Sequence, residues 1–302
     1  MVLKRLIRRF RGECRDLVEL VLVPGLAIFL PWRLCYKVFR LLSRWERLYR
    51  GDAIANCEEA SRHGWVTDTA DCRRKWRLMS MVDQADFYLA MTRGNKWISR
   101  HMDIEGHWPT PGQPAILCTF HWGAGMWALR HLGASGLRAH ALVGPQRPEM
   151  FPGRRLRYEY YRIRNLAVQR ALGTDPLDIT GSLRTILKAL RAGDQIAAAV
   201  DVPAYLSASS EAIPFLGQVA RMPRGLFRLA VDQKMPVTIF VCGLRFTDGQ
   251  RFLRLYQLGV EKDVGVLMGK VYGHLEVLIG EDAAAWHFWR ISEAFFSETS
   301  LQ

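Results

Sequence analysis

From residue 114 onward, short apolar runs alternate with amphipathic stretches along the chain. The apolar runs have the length and character of buried strands, and they cover residues 114–120, 138–144, 195–201, 236–244 and 252–259, with a shorter candidate at 212–217. Between them, helical spacing of apolar positions marks residues 125–134, 155–173, 181–193 and 223–233. This alternation predicts an α/β fold over residues 114–302, with a central, mainly parallel sheet flanked by helices. The region 271–296 predicts one or two further helices.

Residues 33–113 have a mostly helical pattern. In RLCYKVFRLLSRWERLYR, apolar side chains recur every three or four residues and fall near one stripe of a helix. They are Leu34, Val38, Leu41, Leu42 and Trp45. The stretch DCRRKWRLMSMVDQADFYLAMTR repeats this spacing, so residues 33–113 are expected to form a helical lead-in.

Residues 1–32 combine a basic amphipathic start, MVLKRLIRRFRGECR, with an apolar run. About 20 apolar residues are needed to cross a bilayer, whereas this run is shorter and is interrupted by Glu19, Pro24 and Pro31. We therefore expect an N-terminal helical membrane anchor that lies in the membrane plane or inserts partly. An ordinary buried helix with a basic flank is the alternative. The basic residues favour the cytoplasmic side, and no small-residue cleavage site follows.

Composition adds a strong charge imbalance. The 302 residues are 49% hydrophobic, enough for a full core, and carry a formal net charge of +13. An anionic partner is therefore expected, namely nucleic acid, anionic lipid or an acidic carrier protein. Six cysteines show neither a CxxC pair nor regular spacing, which argues against a zinc site and a disulfide framework and favours a reducing cytoplasm.

Candidate chemistry lies at the ends of predicted strands. His121 follows the apolar run AILCTF, and Asp201 follows QIAAAV. Ligands of open α/β sheets bind beyond the carboxyl ends of the strands, where both residues are expected. Arg162 and Arg164, in YYRIRN, lie on a predicted helix between them in the sequence.

His121 has the chemistry of a general base, because a histidine with a near-neutral pKa can take a proton from an attacking hydroxyl. The small residues Gly123 and Gly125 follow it at the start of a predicted helix, where backbone N–H groups are expected to approach a developing oxyanion. Together these features indicate an acyl-transfer site. A hydrogen-bonded structural histidine is the alternative.

Two other groups of residues carry side chains that could form a site. Strand alternation places Cys118 and His121 on opposite faces, so we expect a buried cysteine and no Cys-His pair. The segment HMDIEGH offers His101, Asp103, Glu105 and His107, but it lacks zinc spacing and predicts a solvated turn. We therefore expect no metal and no cofactor.

The sequence resembles the bacterial late acyltransferases of lipid A biosynthesis, the lauroyl and myristoyl transferases, within the lysophospholipid acyltransferase superfamily. That family shows a histidine, four residues and an acid, as in HFGNWE, where this chain reads HWGAGM with Met126 at the acid position. YYRIRN, GSLRTILKALRAGDQIAAAVD, AIPFLG and AWHFWR are similar to further family segments in order and spacing. The resemblance implies a glycerolipid acyltransferase-like fold.

The resemblance also implies a membrane-bound enzyme that moves a fatty acyl chain from acyl carrier protein, or from coenzyme A, to a hydroxyl of a lipid or glycolipid. The expected location is the cytoplasmic face of the bacterial inner membrane. His121 would act as the base, and Arg162 and Arg164 would meet phosphate on the donor or the acceptor. Because Met126 cannot orient the histidine, we nominate Asp201 as the orienting carboxylate, with a backbone carbonyl that holds the Nδ1 proton as the alternative.

Two alternatives follow from the same residues. The absence of an acid at Met126 is compatible with a catalytically silent partner that holds an acyl carrier or a lipid. Nucleic-acid binding rests on charge alone, since the chain shows no RNP-like motif, helix-turn-helix signature or zinc finger. We therefore expect a lipid-handling protein and no nucleic-acid partner.

Overall fold

The computed structural model describes residues 2–144, 146–178, 183–207 and 209–296. The helices are α1 (Val2–Asp16), α2 (Val23–Phe29), α3 (Trp32–Leu42), α4 (Arg50–Arg62), α5 (Thr69–Thr92), α6 (Asn95–His101), α7 (Met126–Ala134), α8 (Arg155–Leu172), α9 (Leu183–Arg191), α10 (Gly225–Asp232), α11 (Val264–Glu281) and α12 (Glu293–Phe296). The first two residues of the helix predicted over 181–193, and residues 297–302 of the predicted domain, lie outside the described part of the chain.

The strands form one large sheet and one hairpin. They are β1 (Met102–Glu105), β2 (Ala115–Thr119), β3 (Ala139–Val143), β4 (Leu177–Asp178), β5 (Gln195–Ala199), β6 (Ser210–Phe215), β7 (Gln218–Pro223), β8 (Val237–Leu244) and β9 (Arg251–Gly259). The seven-stranded sheet has the order β1-β9-β8-β2-β5-β3-β4, and β6 pairs with β7. Among the described strands of the large sheet, β8 and β9 pair antiparallel and the other pairs are parallel.

The sheet confirms the predicted α/β architecture. All six strand candidates contain a strand, and all four helix candidates of the domain contain a helix. The central strands are apolar on both faces, and every residue of β8 is buried, as a parallel sheet covered by helices requires. Strand β2 lies between β8 and β5, so its carboxyl end opens at the middle of the sheet.

Three strands were not predicted. The segment expected as a solvated turn contains β1, which pairs in parallel with β9 at the edge of the sheet. Only its first residue, Met102, is buried, and the other three are exposed. An edge strand with one inward side chain carries little hydrophobic pattern, which explains the error. The sequence pattern also did not predict β4 and β7. Because β1 lies within residues 33–113, the region expected to be a helical lead-in contributes a strand to the large sheet.

Helices α4 and α5 pack together beside the sheet. Asp68 caps the N-terminus of helix α5, and its carboxylate accepts hydrogen bonds from the backbone N–H groups of Ala70 and Asp71. The two helices bring Cys57 and Cys72 together as a disulfide, with a Cα–Cα distance of 5.9 Å. The expectation that the cysteines would show no disulfide was wrong for this pair, because the pairing depends on helix packing that sequence spacing does not reveal.

Helix α1 is joined to α8 by buried charge. Asp16 is fully buried and pairs with Arg154 and Arg157, while the carboxylate of Glu13 accepts hydrogen bonds from the first backbone N–H groups of α8. None of the described helices combines the length and the apolar character that a bilayer crossing demands. The segment Leu17–Leu22 is a π-helical turn that continues α1 into α2.

Candidate active site

His121 and Asp201 meet at the carboxyl ends of two adjacent central strands. Thr119 pairs with Ala199 at the end of β2 and β5, so each functional residue lies two positions beyond this pair. The Nδ1 atom of His121 lies 2.9 Å from a carboxylate oxygen of Asp201. The structure therefore brings together the two residues that the strand pattern singled out.

The carboxylate of Asp201 is completely buried and accepts several hydrogen bonds. The backbone N–H of His121 donates to both of its oxygens at 2.9 and 2.8 Å, and the indole Nε1 of Trp286 donates to one at 3.0 Å. Because an ionised carboxylate only accepts hydrogen bonds, the His121 Nδ1 atom carries a proton. The Nε2 atom is then left free to accept one, which is the tautomer that a general base requires.

The segment Ala285–Phe288 closes the other side of the pair. The carbonyl oxygen of Ala285 accepts a hydrogen bond from the N–H of Gly123, and the N–H of His287 donates to the carbonyl of His121, both at 2.9 Å. The Phe288 ring stacks on the His121 ring with centroids 4.0 Å apart. The sequence pattern of AWHFWR did not predict these contacts. The dense aromatic composition of the segment was the available signal.

His287 is fixed as a neutral side chain beside this pair. Burial lowers its pKa, and its Nε2–H donates to the carbonyl of Gly123 at 2.8 Å. An imidazole that is buried and bonded in this way has a structural role in holding the turn after β2.

Two cavities meet at His121. One has a volume of about 560 Å³, and its wall, although largely apolar like that of the second cavity, carries more charged and amide side chains, among them Asp83, Arg164 and Arg290. The other has a volume of about 1000 Å³ and is walled mainly by apolar residues such as Ile186 and Phe227. We call them the polar cavity and the apolar cavity. His121 lines both, so the proposed base lies where a polar group and an apolar chain can meet.

The predicted oxyanion role of Gly123 does not fit the geometry, because its N–H already has a partner. The N–H of Gly123 is bonded to Ala285, and the N–H of Ala124 donates to the carbonyl of Cys242 at 2.9 Å. Gly125 precedes helix α7, and neither glycine is among the described residues that line the two cavities. The small residues instead allow the chain to turn closely against β8, since a Cβ on Gly123 would lie 2.1 Å from the Cys242 carbonyl oxygen.

We expect the Gly123→Ala variant to unfold more easily than the wild type, by about 2–4 kcal/mol. Gly123 has a φ of 73°, which costs a residue with a side chain about 1–2 kcal/mol, and the clash with Cys242 adds the penalty of overpacking. Chemical denaturation measures the difference. Gly217 has nearly the same φ, 74°, but open space around it, so Gly217→Ala should cost only about 1 kcal/mol. Equal losses in the two variants would contradict the close approach.

The two nominated arginines separate in the structure. Arg162 is exposed on the outer face of α8, pairs with Glu159 at 2.8 Å and is absent from the described lining of both cavities. Arg164 lines the polar cavity and pairs with Asp83 at 2.7 Å. Burial opposes its charge, but the Asp83 carboxylate more than compensates and raises the pKa of Arg164. Of the two nominated arginines, only Arg164 therefore lines a cavity at His121.

Met126 and Cys118 lie away from the chemistry. Met126 is buried at the start of α7, in a cluster that includes Phe87 and Tyr160, and so it packs helices together. Cys118 is fully buried, and burial raises the pKa of its thiol to about 12, which leaves no thiolate at neutral pH. The expectation of a buried, unreactive cysteine agrees with this environment.

The sequence was compared with models of protein families and with curated proteins. Neither comparison finds a match.

Proposed function

We propose that the protein transfers a fatty acyl group from a thioester, carried by acyl carrier protein or coenzyme A, to a hydroxyl of a lipid or glycolipid. The observation that carries this proposal is the pair formed by His121 and the buried Asp201 at the junction of the two cavities. A silent binding partner was considered because of Met126. The presence of Asp201 at the His121 ring favours an enzyme, since a carboxylate orients the base by another route.

The proposed reaction follows from the tautomer of His121. The Nε2 atom takes the proton of the acceptor hydroxyl while its oxygen attacks the thioester carbonyl carbon. The resulting tetrahedral intermediate breaks its carbon–sulfur bond, and the leaving sulfur takes the proton back from the imidazolium. Asp201 holds the ring in place and stabilises its positive charge during this exchange. The products are an ester and a free thiol, and no redox step is involved.

The two cavities suit the two substrates. An acyl chain gains from burial against the wall of the apolar cavity, whereas the acceptor hydroxyl needs the hydrogen-bonding wall of the polar cavity. The net charge of +13 also favours an acidic carrier protein as the donor and an anionic membrane surface as the location. We place the enzyme on the cytoplasmic face of the bacterial inner membrane.

The test is an assay of the purified full-length chain in detergent. A fatty acyl group labelled with ¹⁴C is supplied on acyl carrier protein or on coenzyme A, together with a panel of lipids and glycolipids. We expect a labelled ester whose formation depends on acceptor, on donor and on His121. Binding of the acyl carrier without any ester product, across the whole panel, would support the silent partner instead.

Membrane association should depend on the exposed apolar side chains of α1. Leu6 is 62% exposed and Phe10 is 69% exposed, next to arginines that suit an anionic surface. Replacing both with aspartate should weaken binding to vesicles of phosphatidylglycerol and phosphatidylethanolamine by at least about tenfold, because each insertion loses about 1–2 kcal/mol. Vesicle sedimentation measures this change.

The matched control is Val219→Asp in β7, a residue that is 67% exposed and lies far from α1 in the sequence. Its vesicle binding should stay close to that of the wild type, and neither variant should change the melting temperature greatly. If the α1 double variant binds vesicles normally, the in-plane anchor is wrong.

A further inference from the structure

The cationic side chains of the polar cavity are already paired. Among the described residues that line it, the arginines are Arg157, Arg164 and Arg290. Each contacts a carboxylate: Arg157 meets Asp16 at 2.9 Å, Arg164 meets Asp83 at 2.7 Å, and Arg290 meets Asp52 at 2.9 Å. The sequence predicts that Arg162 and Arg164 bind phosphate, and it gives no sign of these carboxylate partners.

Two of the partner carboxylates belong to the cavity wall itself. Asp52 and Asp83 both line the polar cavity, and Arg164 is further committed to the side chains of Gln84 and Tyr160. A phosphate that entered would therefore approach two negative charges together with the arginines. Repulsion between like charges at contact distance offsets much of the attraction, so the cavity does not present the free guanidinium fork that phosphate sites use.

The same wall suits hydroxyl groups. A hydroxyl donates one hydrogen bond and accepts others, so it can donate to Asp52 or Asp83 and accept from an arginine N–H without disturbing either ion pair. Asn56, Gln84 and Asn165 add amide groups with both capacities to the same wall. Alternating donors and acceptors recognise a group that carries several hydroxyls.

We infer that the polar cavity binds an uncharged polyhydroxyl headgroup, such as the sugar of a glycolipid that carries no phosphate on the unit to be acylated. This inference rests on the proposed function for the reaction, but it concerns binding alone. It names the acceptor class as a neutral sugar and departs from the phosphorylated acceptors that the sequence resemblance implies.

An equilibrium binding experiment tests the inferred ligand class independently of the proposed acyl transfer. The full-length protein is titrated, without any thioester, with octyl β-glucoside below its micelle concentration and with octyl β-glucoside 6-phosphate. Trp76 lines the cavity and provides a fluorescence signal. We expect the neutral glucoside to bind at least about tenfold more tightly. Equal affinity, tighter binding of the phosphate, or no binding of the glucoside would overturn the inference, whether or not the protein catalyses acyl transfer.

The Asp83→Asn variant tests whether the preference for the neutral glucoside over its phosphate arises in the polar cavity. Removing the carboxylate takes away the negative charge that offsets Arg164, so the ratio of the two affinities should shift toward the phosphate by at least about tenfold. Glu159→Gln is the matched control, because it removes the same charge from the exposed pair with Arg162 and should leave the ratio unchanged. If Asp83→Asn fails to fold, Asp52→Asn supplies the same test at a more exposed pair. An unchanged ratio in the carboxylate variant would overturn the inference.

Discussion

The His121→Ala variant is expected to lose acyl transfer almost completely, with kcat lowered by about 10⁴-fold. The reason is that the Nε2 atom of His121 is the proposed acceptor of the hydroxyl proton, at the junction of the two cavities. The side chain is 38% exposed, so its removal leaves the core intact. Initial rates of ester formation from acyl carrier thioester measure the effect, and circular dichroism checks the fold.

Met126→Leu is the matched control for this prediction. Met126 occupies the acid position of the family that the sequence resembles, yet it packs in a helical cluster, and leucine has a similar volume. The variant should keep a rate close to that of the wild type. A rate for His121→Ala that equals the wild-type rate would rule out the proposed base, and a severe loss for Met126→Leu would restore position 126 to the site.

The Asp201→Asn variant is expected to lower kcat by a similar factor, about 10⁴-fold. Asparagine keeps the shape and still accepts hydrogen bonds from the His121 backbone and Trp286 through its oxygen. Its amide, however, donates to the Nδ1 atom, which moves the ring proton to Nε2 and removes the base. The KM for the acceptor should stay nearly constant, because the loss concerns proton transfer and not binding. The His121→Ala/Asp201→Asn double variant should be no slower than either single variant.

Asp194→Asn supplies the control on the same strand. Asp194 lies just before β5 and contacts the Nε2 atom of His140 at 3.0 Å, so it repeats the His-Asp chemistry outside both described cavity linings. This variant should retain the wild-type rate of transfer. If it loses activity as strongly as Asp201→Asn does, the effect is one of folding and the assignment of Asp201 fails.

The sheet was predictable because its strands are short, apolar and buried on both faces. Every residue of β8 is buried, and a continuous apolar segment of this kind can be recognised in the sequence without knowledge of tertiary contacts. Strand β1 could not be recognised from the sequence, because three of its four residues are exposed and the strand is defined by its pairing with β9. Likewise, Cys57 and Cys72 are brought together by the packing of α4 on α5, which no spacing rule reports.

The site was predictable only where strand ends determine it. His121 and Asp201 follow neighbouring parallel strands, so a rule about strand ends placed them correctly. The roles of the glycines and of Arg162 depend on the hydrogen bonds and ion pairs that their own groups form in the folded chain. The N–H of Gly123 is taken by a residue 162 positions away in the chain, Ala285, and Arg162 turns outward toward Glu159. Such partners can be identified only once the chain is folded.

The segment Ala285–Phe288 is the last part of the candidate site around His121 and Asp201 to be synthesised. The ribosome makes His121 first and Asp201 next, and Trp286 follows Asp201 by 85 positions. A nascent chain that stops before this segment thus has the base and its carboxylate but lacks the indole that bonds Asp201 and the ring that covers His121. The proposed acyl transfer is therefore expected only from chains that extend past Phe288. Truncated products of the ribosome should not consume thioester.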